Sequence, residues 1–137
     1  MLMENRLKYE FMLIGSILVI LFSRLYVLRG YPLGVYYHGI MLHHIYYGFT
    51  LVIISWFILV LTDDMEWNNL DRSISFIMGA GFGFIADEIN FLFYWKSYSI
   101  SDYWSPVNIV ADTLLIIVLI YLWKGNELTL FGEEDIS

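Results

Sequence analysis

The sequence predicts an all-α, polytopic membrane protein, a four-helix transmembrane bundle without strands in which residues 1–137 form a single domain. Of the 137 residues, 59% are hydrophobic and only 15% are charged, whereas soluble domains are about 45–50% apolar and about 25% charged. The mean hydropathy is +0.65. A soluble core of this size cannot bury so much apolar surface, so the composition excludes a soluble enzyme.

Four apolar segments have the length of about 17–25 residues that a spanning helix needs. They cover residues 11–28, 45–62, 74–95 and 107–123. The first follows Arg6 and Lys8 but has no small-residue cleavage site after it, so we expect a retained helix and not a signal peptide. Arg24 lies late in this span, where we expect its guanidinium to snorkel to the lipid headgroups. Pro106 precedes the fourth span, at a position that favours a helix start.

Four spans place both chain termini on one side of a cell membrane, so we expect a multi-pass membrane protein in contact with the lipid bilayer. The side that holds the termini carries four of the seven basic residues, which are Arg6, Lys8, Arg72 and Lys124. The positive-inside rule therefore favours cytoplasmic termini. The net charge of −7 argues against a nucleic-acid partner. The absence of cysteine excludes thiol catalysis and thiolate metal ligands.

Antiparallel threading brings the polar residues of three spans to one end of the bundle. His43 and His44 lie at the start of the second span, while Asp87, Glu88 and Asp112 lie inside the third and fourth. At 1.5 Å per residue, the acids are roughly 10 Å below the same interface. A carboxylate at this depth costs about 2.5–3.5 kcal/mol, which makes an intramembrane acid a functional-site hypothesis.

The helical phase of the third span indicates which way its acids face. Gly79, Gly83 and Asp87 are four residues apart and form one stripe. Because a Gly-x-x-x-Gly stripe lets a second backbone approach closely, we expect Asp87 to face a neighbouring helix. Gly81 and Glu88 are seven residues apart and share an adjacent face. We expect Asp87, Glu88, Asp112 and at least one of His43 and His44 to lie within one shared cluster.

Imidazole and carboxylate are the usual ligands of zinc, iron or manganese where no thiol is present. We therefore expect a divalent metal site whose candidate ligands are His43, His44, Asp87, Glu88 and Asp112. Adjacent helical residues point roughly 100° apart, so at most one of the two histidines is expected to face the acids. Such a metal ion would polarise a carbonyl or phosphoryl oxygen of a lipid-like substrate, or activate water against it.

For this enzyme interpretation the candidate catalytic residues are Glu88, Asp87 and Tyr47, the last one turn after His43. The same acids also fit a non-enzymatic membrane protein, such as a proton or ion path, a transporter or an assembly subunit, in which they form a protonated structural network. Four short helices enclose only a thin pore, so a path would need a homo-oligomer. One feature separates the interpretations: a hydrolase needs an opening to lipid or water beside Glu88, and an interaction protein does not.

Three sequence blocks carry a resemblance to a known family. They are residues 43–48 (HHIYYG), 81–88 (GFGFIADE) and 102–105 (DYWS). Over roughly residues 38–112 the chain resembles a family of small bacterial and archaeal multi-span membrane proteins with HHxxYG, GxGxxxDE and DxYW-like blocks. It lacks the basic stretch that follows the third block in that pattern. No reaction is established for the family, so the resemblance implies the site and not its chemistry.

Overall fold

The computed structural model of the protein describes residues 2–31, 34–38, 40–62, 68–94 and 99–131, and in these ranges the chain is mostly helical, as predicted. The helices are α1 (Leu2–Leu28), α2 (His44–Leu61), α3 (Asn68–Asp87), α4 (Phe91–Tyr94), α5 (Ile100–Tyr103) and α6 (Pro106–Phe131). The strands are β1 (Gly34–Tyr37) and β2 (Ile40–His43). The acidic run after the second predicted span and the acidic C-terminal tail lie outside the described residues.

The prediction of a bundle without strands is wrong between α1 and α2. There β1 and β2 form an antiparallel pair in which Gly34 lies opposite His43 and Tyr37 opposite Ile40. The pair forms a tight hairpin, in which His38 adopts a φ of 49°, as such turns require. The β-branched and aromatic residues of this connection favour a strand over a loop. The second strand of the hairpin ends at His43, directly before the first residue of α2.

Three helical segments of the described chain are long and apolar enough to cross a membrane. They are Leu7–Leu28, His44–Leu61 and Ile100–Gly125. The third predicted span, residues 74–95, is not among them. Although α3 has 20 residues, it is less apolar than α1, α2 and α6, and the predicted span is also interrupted. Its long helix α3 ends at Asp87, residues 88–90 form a turn, and α4 begins at Phe91.

Helix α3 lies at the centre of the fold and packs against α1, α2 and α6. Ile74, Met78 and Ala86 are buried, and within the described part of α3 the one large apolar side chain that is exposed is Ile77. The outer helices are much less buried than α3: in α2, only 17% of the apolar window is buried. A helix that contacts other helices instead of lipid can carry small and polar residues, which agrees with the lower hydropathy of α3.

Close backbone contacts fix the position of α3 between α1 and α2. A Cβ atom on Gly79 would collide with the carbonyl oxygen of Met12, and Ser16 Oγ donates a hydrogen bond of 2.8 Å to the Gly79 carbonyl. On the adjacent face, a Cβ atom on Gly48 would lie 2.7 Å from the Gly81 carbonyl oxygen. The two glycine faces predicted from the sequence thus contact two different helices, α1 and α2.

Candidate functional site

The centre of the candidate site is an arginine between two carboxylates. Arg24 Nε lies 2.8 Å from Asp87 Oδ1, and Arg24 Nη2 donates a 2.7 Å hydrogen bond to Asp112 Oδ2. The Arg24 side chain is 13% exposed and that of Asp87 is fully buried. We call Arg24, Asp87 and Asp112 the Arg24 triad. It joins α1, α3 and α6, and it corrects the prediction that Arg24 reaches outward to the headgroups.

Helix α5 covers the Arg24 triad with an aromatic side chain. Tyr103 is fully buried, and its hydroxyl donates a 2.6 Å hydrogen bond to Asp87 Oδ2. The guanidinium carbon of Arg24 lies 4.7 Å from the ring centroid of Tyr103 and 5.0 Å from that of Trp104. Aromatic faces attract a guanidinium, and the attraction is stronger away from water. Both carboxylate oxygens of Asp87 therefore face a donor of the chain.

Glu88 meets the start of α2 instead of the triad. The backbone N–H of Ile45 donates a 3.1 Å hydrogen bond to Glu88 Oε2, and His43 Nδ1 lies 3.4 Å from Glu88 Oε1. His43 is the N-cap residue of α2, but its side chain makes no capping hydrogen bond. The carboxylate of Glu88, directly after α3, accepts the capping hydrogen bond instead. It lies at the N-terminus of α2, where the positive end of the helix dipole also favours a negative charge. We call Glu88, His43 and the Ile45 amide the Glu88 cap.

The two adjacent histidines point in different directions, as the helical phase predicts. The ring centroid of His43 lies 4.1 Å from that of Phe91, and its Nδ1 faces Glu88. The ring of His44 lies beside Phe84 and Tyr26, with centroid distances of 5.7 and 6.4 Å. His44 thus contributes to aromatic packing between α1, α2 and α3.

A pair of asparagines stabilises the interruption after α3. The backbone N–H of Asn90 donates a 2.8 Å hydrogen bond to Asn108 Oδ1, and Asn108 Nδ2 donates to the Tyr103 carbonyl at 2.9 Å. The Asn90 side chain donates to the Asp102 carbonyl at 3.2 Å. Around the turn the backbone amide of Phe91 bonds to the Glu88 carbonyl, three residues back, as in a tightened 3₁₀ turn. These bonds hold the α5–α6 junction against the interrupted helix.

The structure divides the predicted site residues into two adjacent groups. Asp87 and Asp112 belong to the Arg24 triad, whereas Glu88 and His43 belong to the Glu88 cap. Tyr47, the predicted catalytic tyrosine, lies on the outer side of α2 with 37% of its surface exposed. Within the ranges that the structure describes, no three or more His, Asp or Glu side chains are grouped so that they could hold a metal ion. The predicted metal site and its catalytic residues stay predictions.

Sequence reasoning missed Arg24 and Tyr103 as site residues. Charge balance could have identified Arg24 as a partner of the acids, because it lies in the same half of the predicted bundle as three carboxylates. The sequence around Tyr103 does not distinguish it from an aromatic residue at a membrane interface, and only the fold of α5 shows that it turns inward. For both residues the deciding information is the direction of one side chain.

Comparisons of the chain with protein-family models, with curated proteins and with solved structures found no match. The resemblance to the small multi-span family with HHxxYG, GxGxxxDE and DxYW-like blocks therefore stays a prediction. The function has to be argued from the geometry of the polar residues.

Proposed function

We propose that the protein is a non-enzymatic, four-span membrane protein, an assembly subunit whose buried acids hold its helices together. The Arg24 triad is the observation that carries this proposal. Buried carboxylates need a counter-charge, and Arg24 supplies one from within the chain to both Asp87 and Asp112. Both oxygens of Asp87 and Oδ2 of Asp112 already face the guanidinium or the Tyr103 hydroxyl, whereas Asp112 Oδ1 has no hydrogen-bond partner among the described residues.

The burial of the acids also favours a structural role. A general acid or base must come within hydrogen-bond reach of its substrate. Asp87 and Glu88 have no exposed surface, and Tyr47 lies on the outside of α2. The Glu88 carboxylate caps a helix instead, through the Ile45 amide. An enzyme that acts on a lipid-like substrate requires an opening beside Glu88, and in the described part of the chain Glu88 is fully buried.

The four-span part of the proposal rests on the position of α3. Its 20 residues extend about 30 Å at 1.5 Å per residue, close to the thickness of a bilayer core. At the end opposite the Arg24 triad, Asp71 of α3 pairs with Lys8 of α1 at 3.1 Å. The two acids of α3, Asp71 and Asp87, therefore pair with basic residues of α1 at opposite ends of the helix. Much of its remaining surface packs against α1, α2 and α6.

The assembly part of the proposal predicts a homo-oligomer or a complex with other membrane proteins. Only 17% of the apolar windows that contain α2 and α6 is buried within one chain. Their outer faces are therefore free for lipid or for a second subunit. The mass of the protein in mild detergent, measured by light scattering after size exclusion, is expected to exceed that of one chain. A protein that is monomeric and carries no other membrane protein with it would contradict the assembly role.

Metal content of the purified protein tests the proposal against the enzyme interpretation. We expect no stoichiometric zinc, iron or manganese by mass spectrometry. We also expect no change of melting temperature with a chelator or with added metal, because only a ligand that binds the native state stabilises it. A stoichiometric ion that is lost in Asp112→Asn but kept in Glu10→Gln would contradict the proposal. That result would favour a metal-dependent enzyme acting on a lipid-like substrate.

A further inference from the structure

Helix α1 ends in a motif that folds an aromatic side chain back onto the helix. Gly30 has a φ of 81°, its amide donates to the Val27 carbonyl at 2.9 Å, and the Tyr31 amide donates to the Tyr26 carbonyl at 3.4 Å. This is the Schellman pattern, in which a glycine adopts the left-handed conformation. The rings of Tyr26 and Tyr31 stack with centroids 4.5 Å apart. The backbone therefore fixes the position of both tyrosines.

A surface groove of about 200 Å³ lies beside this motif, lined by Phe22, Leu25, Tyr26, Arg29 and Tyr31. Phe22 precedes Tyr26, and Leu25 precedes Arg29, by four residues, so both pairs lie on neighbouring parts of one helix surface. Phe22 and Leu25 are 65% and 59% exposed. The groove is thus apolar along the helix and carries a cation and two tyrosines at the helix end.

Arg29 differs from Arg24 in having no partner of opposite charge. In the described part of the chain no carboxylate pairs with the exposed Arg29, while Arg24 is held by Asp87 and Asp112. A guanidinium presents a planar set of donors that matches the oxygens of a phosphate group. No carboxylate lines the groove, so a choline or ethanolamine group would find no counter-charge there.

We propose that this groove, which we call the α1 groove, binds one anionic phospholipid. The phosphate lies at Arg29 beside the tyrosines, and an acyl chain follows Phe22 and Leu25 toward the bilayer centre. The polar and apolar parts of the groove follow each other along α1 in the same order as headgroup and acyl chain in a leaflet. The proposal rests on the membrane placement proposed above, but it does not depend on the role of the Arg24 triad.

Native mass spectrometry of the full chain, released from detergent micelles, tests the α1 groove. The probes are phosphatidylglycerol and phosphatidylcholine with the same acyl chains. We expect the wild-type protein to retain one phosphatidylglycerol in preference to phosphatidylcholine. Arg29→Gln is expected to lower that retention about tenfold or more, because it removes the charged hydrogen-bond donors that face the phosphate. Arg29→Lys, which keeps the charge but not the planar fork, is expected to lie between the two.

Lys124→Gln is the matched control, because it removes one exposed positive charge at the opposite end of the bundle. It is expected to retain phosphatidylglycerol as the wild type does. Tyr31→Ala removes part of the wall without changing the charge, and it is expected to weaken retention. Unchanged melting temperatures of these variants would show that the losses do not come from unfolding.

Equal retention of the two lipids, or unchanged retention in Arg29→Gln, would overturn the α1 groove as a lipid site. Displacement of phosphatidylglycerol by millimolar inorganic phosphate would assign the groove to a free phosphate and would likewise overturn it. Carbonate extraction of cell membranes distinguishes the two proposals. Release of the chain into the soluble fraction contradicts the membrane placement, whereas a chain that stays in the membrane without lipid preference contradicts only the α1 groove.

Discussion

At the scale of single residues, the stability of the buried acids depends on Arg24. Replacing it by glutamine leaves Asp87 and Asp112 buried without their shared counter-charge. Removing one partner from a buried ion pair costs about 3–5 kcal/mol. We therefore expect the melting temperature of Arg24→Gln in detergent, followed by circular dichroism, to fall well below that of the wild type.

The control for this measurement is Lys124→Gln, which also removes one positive charge but from an exposed position. It is expected to melt within error of the wild type, since surface charges contribute little. If Arg24→Gln and Lys124→Gln had equal melting temperatures, the Arg24 triad would have no structural role.

Glu88 gives a second prediction, because its carboxylate acts on the backbone of another helix. Glu88→Ala leaves the buried Ile45 amide without its acceptor, at a cost of about 1–3 kcal/mol. Glu88→Gln keeps an acceptor oxygen and loses only the charge, so it is expected to be milder. Hydrogen exchange at the first turn of α2 measures the effect locally. Exchange that is equally slow in both variants would show that Glu88 does not cap α2.

At this scale the sequence located the acids better than it located their partners. Asp87, Glu88 and Asp112 were placed together at one end of the bundle because membrane threading restricts depth. Depth does not decide whether a long side chain turns inward or outward. In an isolated helix the Arg24 side chain can extend toward the interface or turn inward. The two carboxylates on α3 and α6 decide that it turns inward.

At the scale of helices, the close contact of α3 with its neighbours depends on glycines, which have no side chain. Gly79→Ala places a methyl group against the backbone of Met12, which cannot move without moving α1. Overpacking of this kind costs about 1–3 kcal/mol, which exceeds the gain in helix propensity of about 1 kcal/mol. We expect a lower melting temperature for Gly79→Ala.

Gly125→Ala is the same substitution at a position of α6 where a Cβ atom would meet no atom of the described chain within 4 Å. It is expected to leave the melting temperature unchanged or to raise it slightly, because alanine favours a helix over glycine. A similar fall in both variants would mean that the loss in Gly79→Ala does not come from the contact with α1.

The faces of α3 could be predicted from the sequence, but its end could not. A repeat of four residues identifies Gly79, Gly83 and Asp87 as one face whatever surrounds the helix. Residues 88–90, where the helix is interrupted, contain no proline or glycine from which a helix break could be predicted. The interruption depends on Asn90 and Asn108, which are far apart in sequence and meet only in the folded chain. The hairpin of β1 and β2 could not be predicted in this way, because segment length and hydropathy identify membrane spans and not the structure of the connections between them.

At the scale of the whole molecule, the four-span proposal predicts the side on which each connection lies. The chain contains no cysteine, so single cysteines can be introduced without background. Asn69→Cys and Lys124→Cys are expected to lie on one side of the membrane, and Ser101→Cys on the other. Labelling of intact cells and of inverted vesicles with a charged maleimide measures this. Labelling of Asn69→Cys from the same side as Ser101→Cys would show that α3 does not cross the membrane.

The Arg24 triad also has a consequence for the way the chain is made. Arg24 and Asp112 are separated by 88 residues, so the arginine leaves the ribosome well before α6 exists. At about 5–20 residues per second, synthesis of those 88 residues takes about 4–18 s. Until Asp87 of α3 is made, Arg24 has neither of its two carboxylate partners, and in the proposed membrane placement its guanidinium reaches water by extending toward the interface. Asp112 is the last residue of the Arg24 triad to be synthesised, so the triad is complete only once α6 has been made.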